Sequence, residues 1–300
     1  MNSRTEVFTL PTGRRIGFSE HGDPSGRPVF LLHGLPGARF QHHPDTAIAT
    51  RLGARVIMAE RPGYGLSDAQ PGRTIADGCD DLAALADYLG IRRFAVAGYS
   101  LGGLYALACA HMLRERVQRV ALIASLAPLD APDAAAGLLP ASRASFDLAR
   151  ANPQALPAAL QPLTASPDIM FQAYLQMVSE TDQQVMNDPP VTGALRRDLA
   201  AVLQQGTEGF VSDLLAAVRP WEFSLADIDT EVHLWHGERD ITVTPAIGRY
   251  LATALPNCTT HVCRDDGHLL LFARWEEIIL ALVQGRPPQE DFIMNDSKAP

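Results

Sequence analysis

The sequence predicts an α/β protein: a mostly parallel, eight-stranded, doubly wound sheet with an inserted helical cap. Three observations predict it. Short continuous apolar runs recur along the chain, they alternate with segments of helical periodicity, and the rhythm stops between Leu126 and Ser224 before resuming. Continuous apolar runs of strand length suit strands buried on both faces, as in a parallel sheet. Regular alternation of strand and helix places helices on both sides of that sheet.

The elements read in order. Val7–Leu10 and Arg14–Glu20 form two strands joined at Pro11-Thr12-Gly13, a hairpin signal. Pro28–Leu32 is an apolar run ending in His33-Gly34, and Ala54–Ala59 is another ending in Glu60. Ile75–Leu89 carries apolar residues at helical spacing behind Thr74, a suitable N-cap. A buried strand over Ile91–Ala97, with Phe94–Ala97 its apolar centre, leads into a helix over Leu101–Leu113, and Val120–Ala124 is the sixth strand. Glu231–Trp235 and His261–Val262 complete the sheet. Pro245–Leu255 opens with proline in its first turn and stops before Pro256, and Trp275–Val283 is the last helix.

Between Leu126 and Ser224 no segment reads as a strand. Prolines at 128, 132, 140, 153, 157, 162, 167, 189 and 190 cut this stretch into short helices. Ile169, Met170, Phe171, Tyr174, Met177 and Val178 keep near-helical spacing, which argues against disorder. The division is therefore a first core part over 1–125, a helical cap over 126–224, a second core part over 225–284 and a flexible tail over 285–300.

Composition excludes several functions. The chain has 300 residues, 47% of them hydrophobic, enough for one large core. A net charge of −9 with scattered acids and no basic stripe argues against nucleic acid as a partner. Met1–Thr9 has no apolar core of the signal-peptide kind, and no apolar run is long enough to span a bilayer. The four cysteines, Cys79, Cys109, Cys258 and Cys263, match no metal or disulfide pattern. Cys258 and Cys263 bracket an extended segment too long for one disulfide. Free thiols in a reducing cytoplasm are the expectation. Composition fixes no oligomeric state.

The most informative stretch is Gly98-Tyr99-Ser100-Leu101-Gly102-Gly103, a G-x-S-x-G between the fifth strand and a helix. This is the pattern of a nucleophile elbow, a sharp turn that lifts a serine hydroxyl above the sheet. A Cβ at Gly98 or Gly102 would strike the neighbouring strand or helix, and Ser100 is expected at an unfavourable φ/ψ.

A serine hydroxyl needs a base within hydrogen-bond reach and a third group to orient that base. For a serine presented this way the chain order is serine, acid, histidine. Asp240 follows the Glu231–Trp235 strand and a glycine turn, and His268 follows the last strand in Asp265-Asp266-Gly267-His268. One helix and one strand separate the two, which returns the chain to the same sheet edge. Asp130 is the spare acid, and Asp265 or Asp266 is a less favoured orienter because immediate neighbours rarely face the far imidazole nitrogen. His233, His236 and the pair His42-His43 read as structural or solvated, and no histidine pair has metal spacing. An oxyanion needs two converging N–H donors. Leu101, after the nucleophile, supplies one. In His33-Gly34-Leu35-Pro36-Gly37 proline cannot donate, so Leu35 supplies the other.

Four blocks in order carry a resemblance: His33-Gly34-x-Pro36-Gly37, Arg61-Pro62-Gly63-Tyr64-Gly65-x-Ser67-Asp68, Gly98-x-Ser100-x-Gly102-Gly103, and His236-Gly237-x-x-Asp240 followed by Gly267-His268. From about Arg14 to Val283 the chain resembles the α/β-hydrolase fold superfamily, in its capped serine-hydrolase branch. Most relatives carry Asp where this chain has Glu60, a change expected to touch loop geometry and not the triad. Ser100 argues against the dehalogenases and epoxide hydrolases of the fold, which use Asp at the elbow. Leu35 weakens the likeness to proline iminopeptidases, whose loop has Gly there. The resemblance implies hydrolysis of a small, largely apolar carboxylic ester through an acyl-enzyme, with no metal or organic cofactor. Leu, Met and Phe residues of the cap, with Leu35 and Phe40, are expected to line an apolar pocket. A C–C bond hydrolase, thioesterase, amidase or perhydrolase on the same triad is the alternative, and a small-molecule receptor is the non-enzymatic one.

Overall fold

The computed structural model describes residues 4–131, 136–221 and 223–284. The expected tail over 285–300 and Pro132 lie outside the described residues. Eight strands form one sheet: β1 (Arg4–Thr9), β2 (Arg15–Gly22), β3 (Arg27–Leu32), β4 (Ala54–Ala59), β5 (Phe94–Tyr99), β6 (Val117–Ile123), β7 (Glu231–Gly237) and β8 (Cys258–Cys263). Their order across the sheet is β1-β2-β4-β3-β5-β6-β7-β8. Only β2 runs against the rest, because both β1 and β4 pair with it antiparallel. The other pairs are parallel. The β1–β2 hairpin turns at Gly13, whose φ of 89° is left-handed.

Every residue of β5 is buried, so helices must cover both faces there. Helices Ile75–Tyr88 and Gly102–Met112 pack on each other, and Ala47–Arg51 and Trp275–Gln284 form a second packed pair. The first helix begins where its cap was read: the Thr74 hydroxyl accepts from the Asp77 amide while the Asp77 side chain accepts from the Thr74 amide. Ile91 precedes β5, which instead extends to Tyr99 and carries the chain straight into the elbow. β8 is longer than the apolar pair His261–Val262 suggests. It is an edge strand whose Thr260 and Val262 face solvent, so Thr260 is polar at no cost. The four cysteines are free.

Between β6 and β7 the described residues form six α-helices: Pro140–Ala151, Leu156–Leu160, Pro167–Met177, Glu180–Met186, Pro189–Val202 and Glu208–Ala217. The prolines open these helices rather than merely ending the ones before. Pro140, Pro157, Pro167 and Pro189 stand in first turns, where an N–H has no intrahelical partner to lose.

Candidate active site

The tip of β5 determines the position of Ser100. Its φ is 53°, a left-handed value for a residue with a side chain. The strain is held from two sides. The Ser100 amide donates to Ile123 O in β6 at 2.9 Å. Gly98 and Gly102 admit the close crossing: a Cβ on Gly98 would lie 2.5 Å from Gly102 O, and one on Gly102 would lie 2.1 Å from Leu32 O at the end of β3.

Two loops at the same end of the sheet bring up His268 and Asp240. Asp240 Oδ1 accepts from the Thr242 and Val243 amides at 2.8 and 2.9 Å, which aims Oδ2 at the imidazole. His268 Nδ1 donates to Asp240 Oδ2 at 2.8 Å, and Ser100 Oγ donates to His268 Nε2 at 3.1 Å. The carboxylate thus fixes the tautomer that leaves Nε2 as an acceptor. Burial disfavours the His268 imidazolium, but the charge and hydrogen bond of Asp240, with the charge of Asp182, outweigh it and raise the pKa above the ordinary histidine value. His236 lies beside the pair, its Nε2 donating to Val243 O at 2.8 Å, and burial lowers its pKa and keeps it neutral.

The other acids stand elsewhere. Asp130 is exposed, in a shallow depression with Trp221 and Phe223. Asp265 pairs with Arg239 and Asp266 with Arg274.

The loop after β3 carries Leu35. The Gly34 amide donates to Gln41 Oε1 at 2.5 Å, and Gln41 Nε2 donates back to Pro36 O at 3.1 Å. Arg61 donates to the carbonyls of His33 and Gly34 at 2.5 and 2.7 Å. His33 is buried and neutral, its pKa pushed well down by burial and by Arg61, with Nδ1 donating to Gly34 O. Among the described residues the Leu35 and Leu101 amides have no acceptor within the protein. They are therefore available to a ligand, whereas the Gly34 amide is occupied.

Three buried carboxylates of the β6–β7 helices reach into the loops around this centre, and the sequence analysis singles out none of them. Asp198 accepts from the Ala38 and Phe40 amides. Asp213 accepts from Arg61, Arg73, Tyr64 and Tyr105. Asp182 accepts from the His268 and Leu269 amides. At sequence level each is an ordinary helical acid. Only the Ser179-to-Asp182 spacing of a capping box hints at anything more.

Over Ser100 lies a cavity of about 300 Å³. Leu35, Phe146, Leu160, Met170 and Phe210 give it an apolar wall, and Asp, Glu, Lys and Arg are absent from its described lining. Its polar features are Ser100, His268, a few amide and hydroxyl groups, and the buried Tyr99 with the half-buried Tyr174, whose hydroxyls are 3.2 Å apart. Phe40 does not line it, contrary to the sequence reading. Its ring lies under Arg39 and Arg197 instead. Among the described residues there is no group of His, Cys, Asp and Glu able to hold a metal ion, and no helix is long and apolar enough to cross a membrane.

The profile of the alpha/beta hydrolase fold family matches residues 27–274, and the chain belongs to that family of enzymes. It is 30% identical over 122 residues to "Uncharacterized hydrolase YcgS" of Bacillus subtilis, covering 41% of this chain and 42% of that one. The stretches matched in the first curated relatives span less than half of their length. A longer match is to the pimeloyl-[acyl-carrier protein] methyl ester esterase of Chromobacterium violaceum, 26% identical over 265 residues, covering 86% of this chain and 94% of the esterase. The enol-lactonase of Burkholderia xenovorans LB400 shares the fold with a TM-score of 0.69, at 23% identity over 93% of this chain and 98% of its own.

Proposed function

We propose that this hydrolase cleaves a small, largely apolar carboxylic ester through an acyl-enzyme, with Ser100, His268 and Asp240 as its catalytic triad. The observation that carries the reading is the unbroken hydrogen-bond chain from Asp240 through His268 to Ser100, opening into an uncharged apolar cavity. Ser100 Oγ attacks the ester carbonyl and its proton passes to His268 Nε2. Asp240 stabilises the resulting imidazolium without taking the proton. The Leu35 and Leu101 amides receive the oxyanion. His268 then gives its proton to the departing alcohol. Water, deprotonated by His268, attacks the acyl-enzyme, and His268 returns that proton to Ser100 Oγ as the ester bond breaks and the acid leaves. The β6–β7 helices act as a cap, folded over the core parts 1–125 and 225–284, and their apolar side chains select the acyl or alcohol group.

The test is turnover of p-nitrophenyl acetate, butyrate and octanoate by the wild type and by Ser100→Ala, with a fluorophosphonate label mapped by mass spectrometry. Label on Ser100 and ester turnover lost in the variant is the expected result. Label on Ser100 without ester turnover moves the substrate to a C–C bond, thioester or amide. No label and no turnover overturns the catalytic reading.

A further inference from the structure

Asp182 does more than cap its own helix. The cap is complete within the insertion: the Asp182 amide donates to Ser179 Oγ at 3.3 Å, and the Ser179 amide and hydroxyl donate to Asp182 Oδ2 at 3.1 and 2.7 Å. That leaves Oδ1 without a partner from the cap. The core fills the remaining capacity. The His268 amide donates to Oδ2 at 3.0 Å and the Leu269 amide to Oδ1 at 2.7 Å. The residue is 1% exposed, and its donors are neutral amides and a hydroxyl. A carboxylate desolvated this far needs every such donor. Gly267 permits the approach, since a Cβ there would lie 2.2 Å from Asp182 Oδ2 and 2.5 Å from Ser179 Oγ.

We propose that Asp182 is a positioning residue: its carboxylate, delivered by the β6–β7 insertion, clamps the backbone of His268 and Leu269 and holds the imidazole in line between Asp240 and Ser100. The proposal rests on the reading of His268 as the general base. It couples the base to the docking of the insertion, so that the same helices that wall the cavity also set the proton acceptor. Around the imidazole stand Asp240 on Nδ1 and Ser100 on Nε2, with the Tyr99 ring 5.2 Å away between centroids. Tyr99 and Tyr174 are held neutral by burial, and His236, 3.8 Å from Asp240, is neutral for the same reason. Asp182 is therefore the second anion acting on His268, after Asp240.

The experiment is Asp182→Asn, which keeps the shape and removes the charge. The expected kcat falls about tenfold or more with KM within about twofold, because a misplaced base costs the transition state and not substrate binding. The acid limb of kcat/KM moves to lower pH, because losing an anion favours the neutral imidazole. Asp182→Glu, which retains the charge, returns the limb toward the wild type. A lowered kcat with an unmoved limb means a structural role only and overturns the proposal, as does wild-type behaviour. Fluorophosphonate labelling of Ser100 in the wild type separates these outcomes from failure of the serine-hydrolase reading, in which wild type and variant alike go unlabelled. Should the variants not fold, hydrogen exchange of the unmodified enzyme decides. Amides of His268 and Leu269 exchanging as slowly as those of β5 support the clamp, and rapid exchange there overturns it.

Discussion

Asp213→Asn is expected to cost about 4 kcal/mol of stability, within the range for removing one partner of a buried ion pair. Asp213 has no exposed side-chain surface, and the side chains of Arg61 and Arg73 that it joins are 7% and 1% exposed. Burial opposes its charge, but Arg61 and Arg73 outweigh that and hold its pKa well below the ordinary carboxylate range. Asparagine leaves two buried cations without an anion, and its NH₂ group faces donors instead of accepting from them. The Tyr64 and Tyr105 hydroxyls, 2.8 and 3.1 Å from the carboxylate, compete for the one remaining oxygen. These losses share one carboxylate, so they do not add. For a domain of this size the melting temperature is expected to drop by roughly 10 °C. The assay is thermal and urea unfolding of wild type and variant, with ester turnover measured in parallel. Turnover should fall too, since Arg61 also holds the His33 and Gly34 carbonyls that set the Leu35 loop. Adding Arg73→Met to the variant should recover part of the stability by removing one unpaired cation. A drop below about 2 °C, or no recovery in the double variant, would falsify the account of Asp213 as the buried counter-charge.

With His268 as the proposed base, its raised pKa puts the acid limb of kcat/KM above pH 6.5, because that role needs the neutral imidazole and is lost as pH falls through the higher value, which a pH–rate profile measures. Gly102→Ala drives a Cβ into the Leu32 carbonyl and is expected to cost about 3 kcal/mol and abolish labelling of Ser100; full labelling with an unchanged melting temperature would count against the elbow account. Asp198 is an acid whose pKa burial pushes up to about 7 from 3.8, so the folded state keeps a proton that the unfolded chain has lost in that window, and stability should fall as pH rises across it. Asp198→Asn, whose Oδ1 still accepts from the Ala38 and Phe40 amides, should flatten that slope in melting temperatures taken against pH; an unchanged slope refutes the assignment.

The sequence by itself determined most of each sheet strand and the elbow, and it pointed to His268, which meets Ser100, and to Asp240, which meets His268. Each of these is written in local pattern. β5 is a continuous apolar run because both its faces are covered, Gly98 and Gly102 record close backbone crossings, and Asp240 and His268 stand just beyond strands that end at one edge. The tertiary structure alone decided the exchange of β3 and β4 in the sheet order, the placement of the β6–β7 helices and the withdrawal of Phe40 beneath two arginines. It also decided what Asp182, Asp198 and Asp213 do. Their partners lie 86, 158 and 152 positions away, so no short window of sequence holds both ends of the contact. An aspartate on a helix looks solvated until the fold removes the water, and whether that costs or stabilises depends on donors contributed by distant loops.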